Sequence, residues 1–479
     1  MTAPQYAGTP DWGTTDELTP LETLMWRADV DRAMRSSMMA VEVLDTQPDW
    51  MRLVDAHEWA SRVVPRLRDR VSEPFGFVGT PIWVRDHDLD LRYHVRRCRV
   101  GGDGSWRELL TMASKLAMTP FDRTRPPWEA VLVEGLPDGR AAYLLKLHHA
   151  LTDGVGLRQL MSQLHSRQRA HHSDKPQPAA EMADARPADL LSRQLKHDLS
   201  AVPALIGGAT AMVGKSFRDP LGSARDMVRY VESARRVLSP PQAPGLPRLA
   251  VRGGSWQFVA LDLDLDDLRA AAKSAGGSVN DAYLAALLGG FRRYHDELGV
   301  PLPPDAAMPV SVPVSVRRDE DAAGGNRFAP ARLVAPVGTA DPVARIESIR
   351  QLVRSARSEP ALESADLVAP LMARLPGSLV VRIAGAATAG NDLQASNVPG
   401  VEEDLYLAGA LIERIYPFAP LPRCAAMITL HTYRGVCSVG ANLDAAGVVD
   451  PALFAQCLSD GFAEVLSLAP GAAKPTLLT

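Results

Sequence analysis

The segment Tyr143–Leu164, YLLKLHHALTDGVGLRQLMSQL, joins a strand pattern to a helix pattern. Its apolar opening is typical of a buried β-strand. Its second half predicts an amphipathic helix, because four apolar residues recur at i, i+3, i+4 and i+7. These are Leu157, Leu160, Met161 and Leu164. The intervening HHALTDG is therefore predicted to form a strand-to-helix turn that carries reactive side chains.

Two histidines, His148 and His149, stand side by side in this turn. Neighbouring side chains on extended backbone point to opposite faces, so the pair is poorly placed to bind one metal ion. We expect one ring to face a cleft and the other to pack inward. A single imidazole with a pKa of about 6.5 suits general-base catalysis at neutral pH. The pattern thus favours a catalytic base over a metal site.

Asp153 and Gly154 close the turn. The Asp153 carboxylate is predicted either to cap the following helix or to pair with an arginine from another strand. We favour these structural roles over proton transfer, because a buried ionised carboxylate needs a partner, but Asp153 stays among the catalytic candidates. Gly154 allows the backbone to turn tightly beside the imidazole.

Length, charge and cysteine content limit the classes of protein to which the chain can belong. A chain of 479 residues predicts two or three domain-sized units. The net charge of -4 argues against a general nucleic-acid binder and leaves open a local basic patch for a phosphorylated ligand. The four cysteines lack CxxC spacing, which gives no zinc signature and fits a reducing compartment. Because it has neither a signal-peptide pattern nor a run of about 18 apolar residues, the chain is expected to be cytoplasmic.

Composition also predicts the domain organisation. Residues 1–170 are expected to form a first α/β lobe that carries the histidine motif, and residues 254–479 a second α/β lobe. The polar and proline-rich region between them, 171–253, is predicted to be a linker and a helical crossover. Within it, the apolar segment 201–214 is too short to cross a membrane. We favour a buried helix there over contact with a membrane surface.

HHALTDG matches the HHxxxDG motif of the coenzyme A-dependent acyltransferases with a chloramphenicol acetyltransferase-like fold. Within that superfamily, the chain resembles the bacterial wax ester synthase/diacylglycerol acyltransferases over about residues 18–470. Further segments match that family in order, with Pro-Pro-Trp standing where it usually has Pro-Leu-Trp. They are LTPLETLMW at 18–26, Phe121-Asp122, Pro126-Pro127-Trp128-Glu129, Val279-Asn280-Asp281, PVSVR at 313–317, GGNRF at 324–328 and SNVPG at 396–400.

The resemblance implies an α/β fold of two similar lobes with a tunnel between them. It also implies that His149 removes the proton from an acceptor hydroxyl, and that the alkoxide attacks an acyl thioester directly. The chain agrees, since it contains no G-x-S-x-G nucleophile elbow. The implied substrates are long-chain acyl-CoA, as co-substrate, and a lipid alcohol. Diacylglycerol would give triacylglycerol and a fatty alcohol would give a wax ester, with no cofactor and no metal.

The same resemblance suggests roles for residues outside the turn. Arg317 is implied as the partner of Asp153. Asn280 and Asp281 belong to the family's second signature. Because Ser278-Val-Asn-Asp281 also has the pattern of a helix capping box, capping alone and a role in shaping the site both stay open. Trp128 is predicted to be a core or wall residue.

Two rival interpretations remain. The chain could be an acyltransferase for a different alcohol or a carrier-bound donor, or a non-catalytic lipid-binding protein of the same fold. The intact HHALTDG favours an enzyme, because an idle site would tolerate the loss of His149. Since the implied substrates are insoluble in water, peripheral contact with a membrane or lipid droplet stays open, with 201–214 as the candidate segment. No oligomeric state is predicted.

Overall fold

Alternating apolar and polar runs build two β-sheets. The structure is a computed structural model that describes residues 16–73, 80–152, 154–170, 244–315, 328–357, 385, 388 and 390–478. Within these residues the strands form a six-stranded sheet, a seven-stranded sheet and a two-stranded ribbon. Asp153, Arg317 and the 201–214 segment lie outside the described residues.

The six-stranded sheet carries the histidine turn. Its order is β11-β12-β1-β6-β5-β4, with β1 and β6 side by side in the middle. All residues of β1 and β6 are buried, and their antiparallel register places Ser37 opposite His148. The strands are β1 Ser37–Leu44, β4 Val95–Arg99, β5 Trp128–Glu134, β6 Ala141–His148, β11 Tyr406–Leu407 and β12 Ala410–Phe418. The ribbon pairs β2 Asp69–Ser72 with β3 Ile82–Arg85.

Helices cover both faces of this sheet. They are α1 Pro20–Ala28, α2 Trp50–Val63, α3 Leu91–His94, α4 Trp106–Met118 and α5 Gly154–Leu164. On one face α2 and α5 share a core cluster with the sheet, and α5 buries the predicted stripe through Leu160, Met161 and Leu164. On the other face α4 packs through Leu109 and Ala113. The predicted strand-to-helix change after residue 148 is confirmed.

The second sheet has the order β15-β7-β14-β13-β10-β8-β9. Its strands are β7 Trp256–Asp264, β8 Met308–Ser315, β9 Phe328–Ala335, β10 Leu393–Val398, β13 Ala426–Tyr433, β14 Val436–Asp444 and β15 Thr476–Leu478. The helices that share its core are α6 Leu265–Ser274, α7 Val279–Glu297, α8 Pro342–Arg357 and α9 Pro451–Leu466. Glycines let α7 and α9 approach closely, since a Cβ on Gly461 would lie 2.4 Å from the Ala286 carbonyl oxygen.

The C-terminal part of the chain contributes strands to both sheets. β12 pairs with β1 in the first sheet, with Met39 opposite Phe418. The next strands, β13 and β14, return to the second sheet. The boundaries 1–170, 171–253 and 254–479 stay predictions. The strands β11 and β12, within residues 406–418, nevertheless belong to the first sheet.

The two sheets meet where β12 passes β14 and β7. The rings of Phe258 and Phe418 stack with their centroids 4.0 Å apart. Asp262 accepts hydrogen bonds from Tyr416 and Arg414, both at 2.9 Å. The mixed α/β, two-lobed fold class is therefore confirmed, and the tunnel between the lobes stays a prediction. Among the described helices, none is long and apolar enough to cross a bilayer.

A buried histidine in the first lobe makes stability depend on pH. His57 donates through Nδ1 to the Leu53 carbonyl at 2.7 Å, so its Nε2 accepts the Tyr143 hydroxyl at 2.7 Å. Burial lowers the pKa of His57 to about 4. The ring is therefore neutral in the folded protein over a pH range in which the unfolded chain binds a proton.

Replacing His57 with glutamine is expected to reduce the acid sensitivity of the fold. As the pH falls below about 6.5, the unfolded state gains a proton on His57 that the folded state excludes, so the wild type loses stability. Between pH 7 and pH 5 this group accounts for about 2 kcal/mol of the loss. Urea unfolding at both pH values should show a smaller drop for His57→Gln than for wild type. Equal drops would contradict the buried neutral ring.

Candidate active site

The backbone of the histidine turn is held by the strands on either side. His148 ends β6, and its N–H donates to the Pro127 carbonyl at 3.0 Å. His149 follows, and its N–H donates to the carbonyl of Ser36, just before β1, at 2.8 Å. The Pro-Pro-Trp segment therefore supports the turn through its main chain. The Trp128 side chain is a core residue, as predicted, and donates to the Leu67 carbonyl at 2.8 Å.

His148 is the inward-facing histidine. Its ring is fully buried, with its centroid 5.0 Å from that of Trp26. The Ala150 N–H donates to Nδ1 at 3.0 Å, so the proton of the neutral ring is on Nε2, which lies 3.7 Å from Oδ1 of Asp29. Burial, reinforced by the charge of Arg123, lowers the pKa of His148 well below its usual value. His148 is therefore neutral and does not present its ring to solvent.

His149 keeps part of its surface exposed, unlike its neighbour. The two residues thus differ in burial: His148 is packed inward, and His149, in the turn after β6, is partly exposed. The register of β6 against β1 fixes the direction of the His148 side chain, because His148 is the last residue of the strand. Of the two histidines, only His149 is partly exposed.

Of the other predicted site residues, the structure describes Gly154, Asn280 and Asp281. Asp153 and Arg317 lie outside the described residues, so their pairing stays a prediction. Gly154 is the first residue of α5. Asp281 forms the predicted capping box at the start of α7: its N–H donates to Oγ of Ser278 at 3.2 Å, and the Ser278 N–H donates to its carboxylate at 2.8 Å. Asn280 stands beside it in the same first turn, and a role for either in shaping the site stays a prediction.

Asp29 belongs to no motif, but the structure places it beside the histidine turn. Its carboxylate is buried, accepts the Ser36 N–H at 2.7 Å and faces His148. A signal was present, because Asp29 follows the last residue of α1, where the helix dipole disfavours a negative charge. An acid in such a position needs partners elsewhere in the fold.

Cationic side chains surround the His148–Asp29 pair. Arg123 lies over the Trp26 ring at 4.5 Å and donates to the Trp26 carbonyl at 2.7 Å. Lys146 is fully buried, where it donates to the Thr119 carbonyl at 2.7 Å and pairs with Glu129 at 3.1 Å. These charges oppose protonation of His148 and attract the Asp29 carboxylate.

The cysteines are poor nucleophiles. Burial raises the pKa of Cys424 and Cys437 to about 12 and that of Cys457 to about 11, and it also raises the pKa of Cys98. Nucleophilic attack requires a thiolate, so these thiols are not poised for it. Among the described residues there is also no group of three or more His, Cys, Asp or Glu side chains that could hold a metal ion.

Alkylation should leave the activity intact. Since the three buried thiols resist deprotonation, iodoacetamide at pH 7 is expected to modify Cys98 at most, and the rate of the acyl transfer implied by the sequence motif should remain within about twofold of the untreated protein. Mass spectrometry of the treated protein, alongside the rate, checks this. Stoichiometric loss of activity on labelling of one cysteine would contradict it.

Comparisons with known proteins identify related sequences over nearly the whole chain. The wax ester synthase/diacylglycerol acyltransferase catalytic domain matches residues 15–283, and the WS/DGAT C-terminal domain matches residues 324–465. A putative diacylglycerol O-acyltransferase of Mycobacterium tuberculosis is 44% identical over 469 residues, which cover 97% of this chain and 94% of the relative. A probable diacylglycerol O-acyltransferase of the same species is 32% identical, over 78% of this chain and 80% of the relative.

Solved structures share the fold at low sequence identity. The wax ester synthase/diacylglycerol acyltransferase from Marinobacter aquaeolei VT8 superposes with a TM-score of 0.63 at 22% identity, covering 95% of this chain and 99% of that one. The starter condensation domain of rhizomide synthetase, in complex with C8-CoA and Leu-SNAC, superposes with a TM-score of 0.57 at 13% identity, covering 96% of both chains. These likenesses support the two-lobed architecture.

Proposed function

Since the chain belongs to the wax ester synthase/diacylglycerol acyltransferase family, we propose that it esterifies diacylglycerol with a long-chain acyl group from acyl-CoA. The observation that carries the proposal is the contrast within the histidine pair. His148 is buried and neutral, whereas His149 keeps exposed surface on a backbone held by two strands. His149 is the proposed general base.

The proposed reaction needs one proton acceptor. The unprotonated ring nitrogen of His149 takes the proton of the acceptor hydroxyl as its oxygen attacks the thioester carbonyl carbon. The tetrahedral intermediate then collapses, the carbon–sulfur bond breaks, and the departing sulfur takes the proton back from the imidazolium. The products are an ester and free coenzyme A. This route uses no cofactor and no metal, and it agrees with the raised pKa values of the cysteine thiols.

Diacylglycerol is the preferred acceptor in this proposal, because the relatives that align over most of the chain are named diacylglycerol O-acyltransferases. A fatty alcohol is the second candidate, favoured by the match of residues 15–283 to a domain that is named for both activities. Peripheral contact with a membrane or lipid droplet would bring the enzyme to either acceptor. The 201–214 segment proposed for it lies outside the described residues.

Product analysis tests the proposed function. Purified protein is incubated with radiolabelled oleoyl-CoA and with dioleoylglycerol, hexadecanol or no acceptor, and lipids are separated by thin-layer chromatography. We expect labelled triacylglycerol, with coenzyme A released in equal amount, and a smaller yield of wax ester. Absence of ester with both acceptors, together with retained lipid binding, would instead support the non-catalytic lipid-binding interpretation.

A further inference from the structure

A closed circuit of contacts surrounds the peptide of His149. The His149 N–H donates to the Ser36 carbonyl at 2.8 Å, and the Ser36 N–H donates to Oδ1 of Asp29 at 2.7 Å. The same Oδ1 lies 3.7 Å from Nε2 of His148, whose Nδ1 accepts the Ala150 N–H at 3.0 Å. The residues before and after His149, and its own amide, are thus connected to one carboxylate.

We infer that Asp29 is a positioning residue for His149, acting through Ser36 and His148. The inference rests on the proposed function of His149. Through Ser36, the carboxylate fixes the backbone segment whose carbonyl holds the His149 amide. The Asp29 carboxylate also attracts the Nε2–H of the neutral His148 ring. This orientation of the ring points Nδ1 toward Ala150, whose N–H it accepts.

Burial and charge explain why this carboxylate can act at a distance. Asp29 is 7% exposed, and the electrostatic attraction between Asp29 and the His148 N–H is stronger in such surroundings than in water. Burial raises the pKa of Asp29 above its usual value, and the Ser36 N–H and the charges of Arg123, Arg35 and Lys146 offset part of that rise. The Ser36 N–H and these cations thus counteract burial and the dipole of α1, both of which disfavour a negative charge on Asp29.

Catalysis by a positioned base depends on sub-ångström placement, because a shift of about 1 Å can lower a rate by about 10²-fold. Loss of the Asp29 carboxylate frees two anchors of the turn and lets the His149 ring shift, but it removes no group that would bind either substrate. The effect should therefore fall on kcat, with little change in the KM for acyl-CoA or for the acceptor.

The test compares Asp29→Asn and Asp29→Ala with a matched control, Asp31→Asn. Asp31 is a nearby carboxylate that pairs with Arg423 at 2.8 Å. We expect kcat to fall about 10-fold in Asp29→Asn and up to about 10²-fold in Asp29→Ala, with KM within about threefold of wild type. Asp31→Asn should stay within about twofold of wild type in both constants. An active wild type with unchanged kcat in both Asp29 variants would overturn the inference and leave the proposed function standing.

A second readout does not depend on activity. The His149 amide is protected by Ser36, so hydrogen exchange of peptides that cover residues 147–151 reports on the circuit. Exchange there should be at least about 10-fold faster in Asp29→Asn than in Asp31→Asn, with unchanged exchange in α7 as a check on global folding. Equal exchange in the two variants would overturn the inference even if the wild type made no ester. This readout needs only Asp29→Asn and Asp31→Asn, so it can be used even if Asp29→Ala does not fold.

Discussion

Replacing His149 with alanine is expected to slow ester formation by about 10²–10⁴-fold, the usual contribution of a general base. Without the imidazole, the acceptor hydroxyl must attack the thioester while it is still protonated. The protein should remain folded, because His149 is partly exposed and its N–H can donate to the Ser36 carbonyl whatever its side chain. The initial rate of coenzyme A release with saturating acceptor measures the effect.

His87→Ala is a suitable control for this prediction. His87 is an exposed histidine in a turn of the same lobe, and its removal should leave the rate unchanged. Added imidazole should restore part of the activity of His149→Ala and none of the activity of an unfolded variant. A His149→Ala protein that retains a third or more of the wild-type rate would show that another group accepts the proton.

Substitution of Gly440 with alanine is expected to destabilise the contact between the two sheets. Gly440 lies in β14, and a Cβ at this position would lie 2.1 Å from the Pro417 carbonyl oxygen of β12, which belongs to the first sheet. Neither backbone can move without disturbing its own strand pairing. Overpacking of this kind costs about 3 kcal/mol of folding free energy.

Gly101→Ala is the matched control, because no heavy atom lies within 4 Å of a Cβ at that position. Urea unfolding should show a change within about 1 kcal/mol for Gly101→Ala. The midpoint of Gly440→Ala should fall clearly below that of wild type. Unfolding of the two variants at the same urea concentration would contradict the close contact between β12 and β14 at Gly440.

Local sequence patterns predicted the part of the site that depends on neighbours in the chain. The switch from the apolar, fully buried strand β6 to a stripe at helical spacing in α5 is visible between Tyr143 and Leu164. The burial of His148 and the partial exposure of His149 match the expectation from extended backbone, although His149 lies in the turn after β6. The capping box of Ser278 and Asp281 is likewise a local pattern, and the structure contains it.

Contacts between distant residues could not be predicted in this way. The pairing of β12 with β1 joins residues more than 350 positions apart, and nothing in the local pattern of 410–418 distinguishes the two sheets. Asp29 has no motif of its own, and its role depends on the turn before β1 that brings the Ser36 amide to it. Such partners follow from the topology, which periodicity does not encode.

The most direct test of the account follows acyl-CoA in the absence of an acceptor. Direct transfer by His149 predicts that wild-type protein, mixed rapidly with a small excess of radiolabelled oleoyl-CoA, releases no burst of coenzyme A and carries no label after denaturation. Adding dioleoylglycerol should then start coenzyme A release and labelled triacylglycerol formation together. A burst equal to the enzyme concentration, with the acyl group bound to the chain, would contradict the central claim.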